Sequence, residues 1–209
     1  MEGEGRPATA AEELSERRAR TLGGILMAAM HIVGQEGTAG LSMSALAARA
    51  GVSRQTLYNY YPDVDAVLSG MVELGDAGTA GLAAQLADEP DARAALTLFV
   101  ASAVESVRSG HPSLSALTAA LPAELRTTMQ AHEDRAEGIV VDLLRRGMAE
   151  GVFRADLDPD LDGRILHRAA FAGAELARHE DVDPERLGER LSTDLLRVVE
   201  SGAGRRTRR

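Results

Sequence analysis

Cysteine and lysine are absent from this chain of 209 residues, and so is any long apolar run. Without cysteine the protein can form neither a disulfide nor a thiolate metal site, and thiol catalysis is excluded. No stretch of about 18 consecutive apolar residues occurs, so we expect no membrane span. The N-terminus is acidic and rich in Gly and Ala and lacks the features of a secretory signal, so a soluble, cytoplasmic protein is expected.

Because lysine is absent, every permanently positive side chain is an arginine. The formal net charge is −9. The charge is unevenly distributed along the chain. Residues 1–62 carry six acidic residues and six arginines, three of which cluster at Arg17, Arg18 and Arg20, and the acidic excess follows residue 62. A contact with nucleic acid must therefore come from a local patch, with the acidic remainder turned away.

The segment 41–68 contains all three tyrosines and has the most specific pattern in the chain. Ser42 is a suitable N-cap for a helix over residues 43–50, and Gly51 suits a left-handed turn. Ser53 would cap a second short helix, over residues 54–60. Two short helices joined by a turn that contains Gly predict a helix-turn-helix.

The packing of such a motif is also predicted by the sequence. Ala47 lies four residues before Gly51, where the two helices would cross and a larger side chain would hold them apart. Two short helices cannot bury enough surface to fold alone. We therefore expect an earlier helix, from Ser15 or Thr21 to about Gln35, and the helix after Pro62 to complete the core.

The sequence GLSMSALAARAGVSRQTLYNYYPDVDAVL, residues 40–68, resembles the DNA-binding region of TetR-type transcriptional regulators. It has the Ser-capped helix, the A-x-x-A-G-V-S turn, the L-Y pair and the aromatic-Pro step of that family, and the resemblance covers about residues 20–70. One position departs from the pattern. The family usually has Lys just inside the next helix, where it meets a phosphate, whereas this chain has Val64 between Asp63 and Asp65. This predicts weaker backbone binding or an altered docking angle.

A helix in the major groove reads bases from its N-terminal end, so Arg54, Gln55 and Thr56 are the predicted base-reading residues. Arg can pair bidentately with guanine and Gln with adenine. Six polar residues are placed to contact phosphates, and the resemblance supports this role for Ser42 and the 58–60 region. These are Ser42, Ser44, Thr56, Tyr58, Asn59 and Tyr60.

The fold class predicted is all-α, with an N-terminal three-helix helix-turn-helix DNA-binding domain followed by a larger helical ligand-binding and dimerisation bundle. The expected division is a disordered arm at 1–14, the DNA-binding domain at 15–62, the bundle at 63–200 and a disordered basic tail at 201–209. Apolar periodicity and Gly or Pro breaks predict the further helices. They span about 63–74, then 75–90 as a loosely held helix, and then 91–109, 112–120, 122–150, 158–179 and 183–200.

The resemblance implies a homodimer on a palindromic operator, released from DNA by a small molecule bound in the bundle. Candidate ligand-contacting residues are Phe99, Ala103, Leu117, Met129, His132, His167 and Phe171. The last two helices are the candidates for the dimer interface because their small-residue and Leu faces suit close packing. The interface residues predicted are Ala169, Gly173, Leu176, Leu187, Leu191, Leu195 and Val198.

Other classes of site are rejected or kept as alternatives. Residues 158–163 resemble the start of a calcium loop, but the twelfth position is Ala169 rather than Glu, and the five histidines lack zinc spacing. No catalytic or cofactor motif is present, so neither an enzyme nor a cofactor is expected. The alternatives are an activator, a ligand-independent regulator, or a helical protein-interaction module with a weak DNA-binding head.

Overall fold

The computed structural model describes residues 10–111, 123–179 and 181–200, and this part of the chain is helical without a β-strand. Eight α-helices lie in it: α1 Ala10–Glu36, α2 Met43–Ala50, α3 Arg54–Tyr58, α4 Val64–Asp88, α5 Ala92–Arg108, α6 Ala123–Ala149, α7 Pro159–Ala174 and α8 Pro184–Val199. Short 3₁₀ turns occupy Thr38–Gly40 and Glu175–Arg178. The all-α fold class predicted from the sequence is confirmed.

Two buried clusters divide the molecule into a head and a body. The head core joins α1, α2, α3, the first half of α4 and the N-terminal part of α6, and its fully buried members include Ile25, Leu46, Leu57 and Val67. The body core joins the end of α4 with α5, α6, α7 and α8. Because α4 contributes to both cores, one continuous helix connects the head to the body.

The first helix is longer than predicted. It begins at Ala10, so the arm expected over residues 1–14 is replaced by helix from Ala10 onward. The sequence AAEEL at residues 10–14 consists of strong helix formers, which is the local reason for the extension. The earlier part of the predicted arm, the tail at 201–209 and the helix predicted at 112–120 lie outside the described residues.

The stretch 75–90, predicted as a loosely held helix, is continuous with the helix predicted before it. The helix continues to Asp88 despite Gly75, Gly78 and Gly81. A Cβ at Gly75 would lie 3.0 Å from Cε1 of His132 on α6, so this glycine lets the two helices approach. Packing against α6 compensates for the poor helix propensity of the glycines.

The predicted caps and breaks are confirmed at most other helix ends. Asp63, Asp91, Asp158 and Asp183 each accept a backbone N–H bond in the first turn of the helix that follows. Acidic N-caps also suit the positive end of the helix dipole. For residues 158–163 this confirms the helix start that was preferred to a calcium loop.

Candidate nucleic-acid interface

Local hydrogen bonds fix the connection between α2 and α3. The Ser42 hydroxyl accepts from the Ala45 amide at 3.2 Å, and the Ser53 hydroxyl accepts from the Thr56 amide at 2.9 Å. Between these caps, Gly51 has φ 67°, the left-handed conformation that ends α2. The caps and the turn predicted from the sequence are confirmed, and they produce a helix-turn-helix.

The inner side of this motif is fully packed. Leu46 and Leu57 have no exposed surface, and Ala47 is 3% exposed where α2 meets α3. Tyr61 is buried behind α3, and its burial, with nearby Glu73, raises the pKa of its hydroxyl. The position of α3 is therefore set by a rigid core and not by its own five residues.

The outer side of α2 and α3 presents polar side chains to solvent. Arg54, Gln55 and Asn59 are exposed, as is half of Tyr58. Arg54 donates to the Ser44 hydroxyl, and the Gln55 amide donates to Asn59 Oδ1 at 3.4 Å. The structure thus brings most of the predicted DNA-contacting residues onto one face.

Two of the predicted DNA-contacting residues, Thr56 and Tyr60, are less accessible for a DNA contact than expected. The Thr56 hydroxyl lies 2.8 Å from the Ser53 hydroxyl and is half-buried, so it is already engaged within the protein. Tyr60 is also half-buried and packs against the head core. The guanidinium carbon of Arg18 lies 5.7 Å from the centroid of the Tyr60 ring, a contact that sequence reasoning missed. The only feature of the sequence that pointed to this contact was the arginine cluster at residues 17–20.

The start of α4 is acidic, as the sequence indicated. Asp63 caps the helix by accepting from the Ala66 amide at 2.8 Å, and Asp65 is exposed in the first turn. Val64 lies between them and is partly buried against the head core. This corner of the interface therefore carries negative charge where a phosphate-binding cation was expected.

In the body, three of the predicted ligand-contacting residues form one cluster between α5 and α7. The ring centroids of Phe99 and His167 are 5.8 Å apart, and those of His167 and Phe171 are 4.9 Å apart. Phe99 and Phe171 meet edge to face at 6.3 Å. Burial lowers the pKa of His167 to about 4, so this ring is neutral at pH 7.

Of the remaining predicted ligand-contacting residues in the described ranges, only Ala103 lies near this cluster. Ala103 is buried in the body core near Phe99, but Met129 belongs to the head core, where the N-terminal part of α6 meets α1 and α4. His132 pairs with Asp76 of α4. Leu117 lies outside the described residues. The apolar face of α6 contributes to both the head core and the body core. The sequence does not show at which residue of α6 one core ends and the other begins.

An ion pair between a buried glutamate and exposed arginines, beside the aromatic cluster, was not predicted. Glu137 of α6 is 2% exposed and accepts a hydrogen bond from Arg168 of α7 at 2.8 Å, with Arg164 at 3.6 Å. Burial raises the pKa of nearby Glu133, and the charge of Glu137 adds to the effect. The four-residue spacing of two acids on α6 and two arginines on α7 was the signal available in the sequence.

The predicted dimer face is partly exposed and partly used within the body. Ala169, Leu176 and Val198 are exposed, whereas Leu187, Leu191 and Leu195 are partly buried against the body core. A Cβ at Gly173 would lie 2.5 Å from Leu191, so this glycine serves packing between α7 and α8. Sequence reasoning missed Leu161 and Ile165, which are 58% and 55% exposed on α7.

One surface groove lies away from the predicted ligand-contacting residues. An open groove of about 710 Å³ between α5 and α8 is lined by residues such as Ala101, Glu105 and Glu189, and none of the predicted ligand-contacting residues borders it. No group of His, Asp or Glu in the described ranges is arranged to hold a metal ion. Across the same ranges, no helix is long and apolar enough to cross a bilayer.

The fold and its outer face define a helix-turn-helix DNA-binding head on a helical body. Residues 25–70 match the sequence model for bacterial regulatory proteins of the tetR family. The match shows that this segment is similar to the DNA-binding segment of the TetR-type transcriptional regulators. The resemblance predicted from the sequence is confirmed.

Several solved structures share the fold of this chain. The MbdR regulator from Azoarcus sp. CIB has a TM-score of 0.70 at 23% identity, covering 84% of this chain and 97% of that chain. A TetR-family regulator from Agrobacterium tumefaciens has a TM-score of 0.73 at 16% identity, covering 88% and 99%. FadR from Bacillus subtilis, in complex with stearoyl-CoA, has a TM-score of 0.67 at 18% identity, covering 83% and 96%. Among curated protein sequences, none matches significantly.

Proposed function

We propose that the protein is a dimeric, ligand-responsive transcriptional repressor that binds a palindromic operator through α2 and α3. The observation that carries this proposal is the exposed polar face formed by Ser42, Ser44, Arg54, Gln55 and Asn59 over a fully buried core. A rigid scaffold with hydrogen-bonding side chains on one convex face suits the major groove. In this proposal Arg54 and Gln55 read bases, and Ser42 and Tyr58 hold phosphates.

The dimer is supported by an exposed apolar face on α7. Leu161, Ile165, Ala169 and Leu176 are all exposed and lie along one side of the helix, which the 3₁₀ turn continues. Exposed apolar residues in a row mark an interaction surface. Packed about a two-fold axis, this face and Val198 of α8 would join two copies and place two heads on half-sites about 34–36 Å apart.

The effector region in this proposal lies at the cluster of Phe99, His167 and Phe171. A neutral imidazole beside two aromatic rings, with buried Glu137 and its partner Arg168 nearby, suits a largely apolar molecule with one polar group. FadR from Bacillus subtilis, a regulator of similar fold, was solved in complex with stearoyl-CoA, a ligand of this class. We infer a small organic effector of this class.

Effector binding at this cluster can change the position of the head through a movement of α4. Asp76 on α4 accepts hydrogen bonds from His132 and Arg135 on α6, and α4 continues without a break into the head core. An effector that prefers a different spacing of α6 and α7 would therefore shift α4 and change the distance between the two heads. Release from DNA follows if the effector binds that state more tightly.

The test is a binding assay with duplex DNA enriched by the protein from a random pool. The expected result is a palindromic consensus bound by a dimer, with log affinity falling steeply as log salt rises. An absence of binding at low salt would overturn the proposal and favour a protein-interaction module, for which the acidic corner at Asp63 and Asp65 is the supporting observation.

A further inference from the structure

The N-terminal part of α1 extends beyond the head core. The helix begins at Ala10, whereas the first core residue is Ile25, so the extension is about 22 Å long at 1.5 Å per residue. Residues 14–20 are all exposed. Because they bury little surface, core packing does not explain where this extension lies.

Arg18 ties the extension to the end of the recognition helix. Its guanidinium carbon lies 5.7 Å from the ring centroid of Tyr60, which directly follows α3 and the C-cap Asn59. Tyr60 is itself held against the head core, so the ring is a fixed platform. A guanidinium that stacks on a ring with one face keeps its N–H edge free for a bidentate contact with a phosphate.

The position of Arg18 complements that of Arg54. Arg54 lies at the N-terminal end of α3, where it donates to Ser44, and Arg18 lies beside the C-terminal end. Residues 54 and 60 are about 9 Å apart along a helix, while the major groove is about 12 Å wide. Arg54 and Arg18 therefore lie near opposite ends of the helix that is proposed to enter the groove.

The same flank lacks any cation from the first turn of α4. Val64 is partly buried, and Asp63 and Asp65 beside it are exposed and negative. Arg17 and Arg20 add to the positive charge of the extension, although Arg20 lies 3.5 Å from Glu16. Residues 16–20 carry one acid and three arginines, a net charge of +2.

We propose that Arg18, held over the Tyr60 ring, binds a DNA phosphate at the C-terminal flank of α3 and supplies the cation that the start of α4 lacks. This inference rests on the proposed binding of duplex DNA. It assigns to α1 a direct role in the interface, in addition to its role in the head core.

The experiment compares Arg18→Ala, Arg18→Lys and the wild-type chain on the enriched duplex over a range of salt concentrations. Each phosphate contact contributes about 0.9 to the slope of log affinity against log salt, so a dimer of Arg18→Ala should lose about 1.8. Affinity should fall by a similar factor for every sequence tested, and Arg18→Lys should keep the wild-type slope because the charge is retained.

Two further variants complete the design. Arg145→Ala removes the same charge from α6, where Arg145 pairs with Asp142 and Asp160, and should leave the slope unchanged. Tyr60→Leu removes the platform and should reproduce the loss seen in Arg18→Ala, with no additional loss in the double variant. A wild-type slope in Arg18→Ala, when the wild-type chain binds DNA, overturns this inference alone. Failure of the wild-type chain to bind overturns the proposed function instead.

Discussion

The carboxylate of Asp76 on α4 lies 2.6 Å from Nδ1 of His132 on α6, and the ring N–H donates across the junction of the two helices. Arg135, one turn further along α6, donates to the same carboxylate at 3.1 Å. The hydrogen bond from Arg135 is the main reason why the pKa of Asp76 lies below its usual range. The Asp76 side chain thus links α4, the helix that connects the head to the body, to α6.

Asp76→Asn should weaken this junction. Hydrogen bonds to charged groups contribute about 1.5–3 kcal/mol, and partial exposure of the carboxylate reduces the expected loss to about 1 kcal/mol. Because the folded-state pKa is depressed, the contribution is present above the unfolded pKa near 4 and is lost as pH falls through the lower folded value. Denaturant unfolding of the variant and the wild-type chain at pH 7 and pH 3 measures the loss of stability and its dependence on pH.

The control for Asp76→Asn is Asp142→Asn, which breaks a surface pair with Arg145 in which the carboxylate is 78% exposed. Its effect on the free energy of unfolding should be close to zero. Equal losses in the two variants would show that the Asp76 junction has no special role.

His167 should make the fold sensitive to acid. Its pKa is lowered to about 4 by burial, from 6.5 in the unfolded chain, so the unfolded state binds the proton first. Stability is complete above pH 6.5 and is lost as pH falls toward 4, to a total of about 3 kcal/mol at 1.36 kcal/mol per pH unit. His167→Phe should remove this part of the pH dependence, which unfolding curves between pH 7 and pH 4 would record. An unchanged pH dependence in the variant contradicts the assignment.

Gly147→Ala should destabilise the body. A Cβ at this position would lie 2.0 Å from Cδ2 of Phe153, whose ring is 1% exposed and cannot move away freely. Overpacking of this kind costs about 1–3 kcal/mol. Gly138→Ala is the matched control on the same helix, since a Cβ there would have no neighbour within 4 Å, and it should stabilise by up to about 1 kcal/mol. Thermal unfolding of the two variants should therefore shift in opposite directions.

Ile165→Glu should disrupt the proposed dimer. The side chain is 55% exposed in the single chain, so the charge is tolerated in the monomer but not in an apolar interface. A central interface residue contributes about 2–4 kcal/mol, enough to weaken association about 30-fold or more. Sedimentation measures this loss, and Leu14→Glu, a residue 69% exposed on α1, is the control that should remain dimeric. A dimer of unchanged affinity in Ile165→Glu would place the interface elsewhere.

The local features of the head could be predicted because they depend on neighbours in sequence. Ser42, Ser53 and Asp63 cap helices within three residues, and Gly51 supplies a conformation that other residues avoid. A short motif with such strict requirements leaves few alternatives. The spacing of these residues therefore determined the helix-turn-helix before any tertiary contact was considered.

The features that the sequence did not reveal depend on tertiary packing. Gly75 suggests a weak point in α4, yet contact with His132 keeps the helix continuous. Met129 has the periodicity of the body core but is buried with the head. Arg18 is one of three neighbouring arginines, and only the fold places it over Tyr60. In each case the deciding partner is more than forty residues away along the chain.

The most direct test of a base-reading head is to select bound sequences with the wild-type chain, Gln55→Ala and Tyr58→Phe. The wild-type chain should enrich a palindrome, and Gln55→Ala should lose preference at one position of each half-site, because a bidentate Gln–adenine pair discriminates by about 1–3 kcal/mol. Tyr58→Phe should enrich the same sequence with uniformly weaker binding, as expected for a lost phosphate contact. A changed consensus in Tyr58→Phe together with an unchanged one in Gln55→Ala would contradict the account.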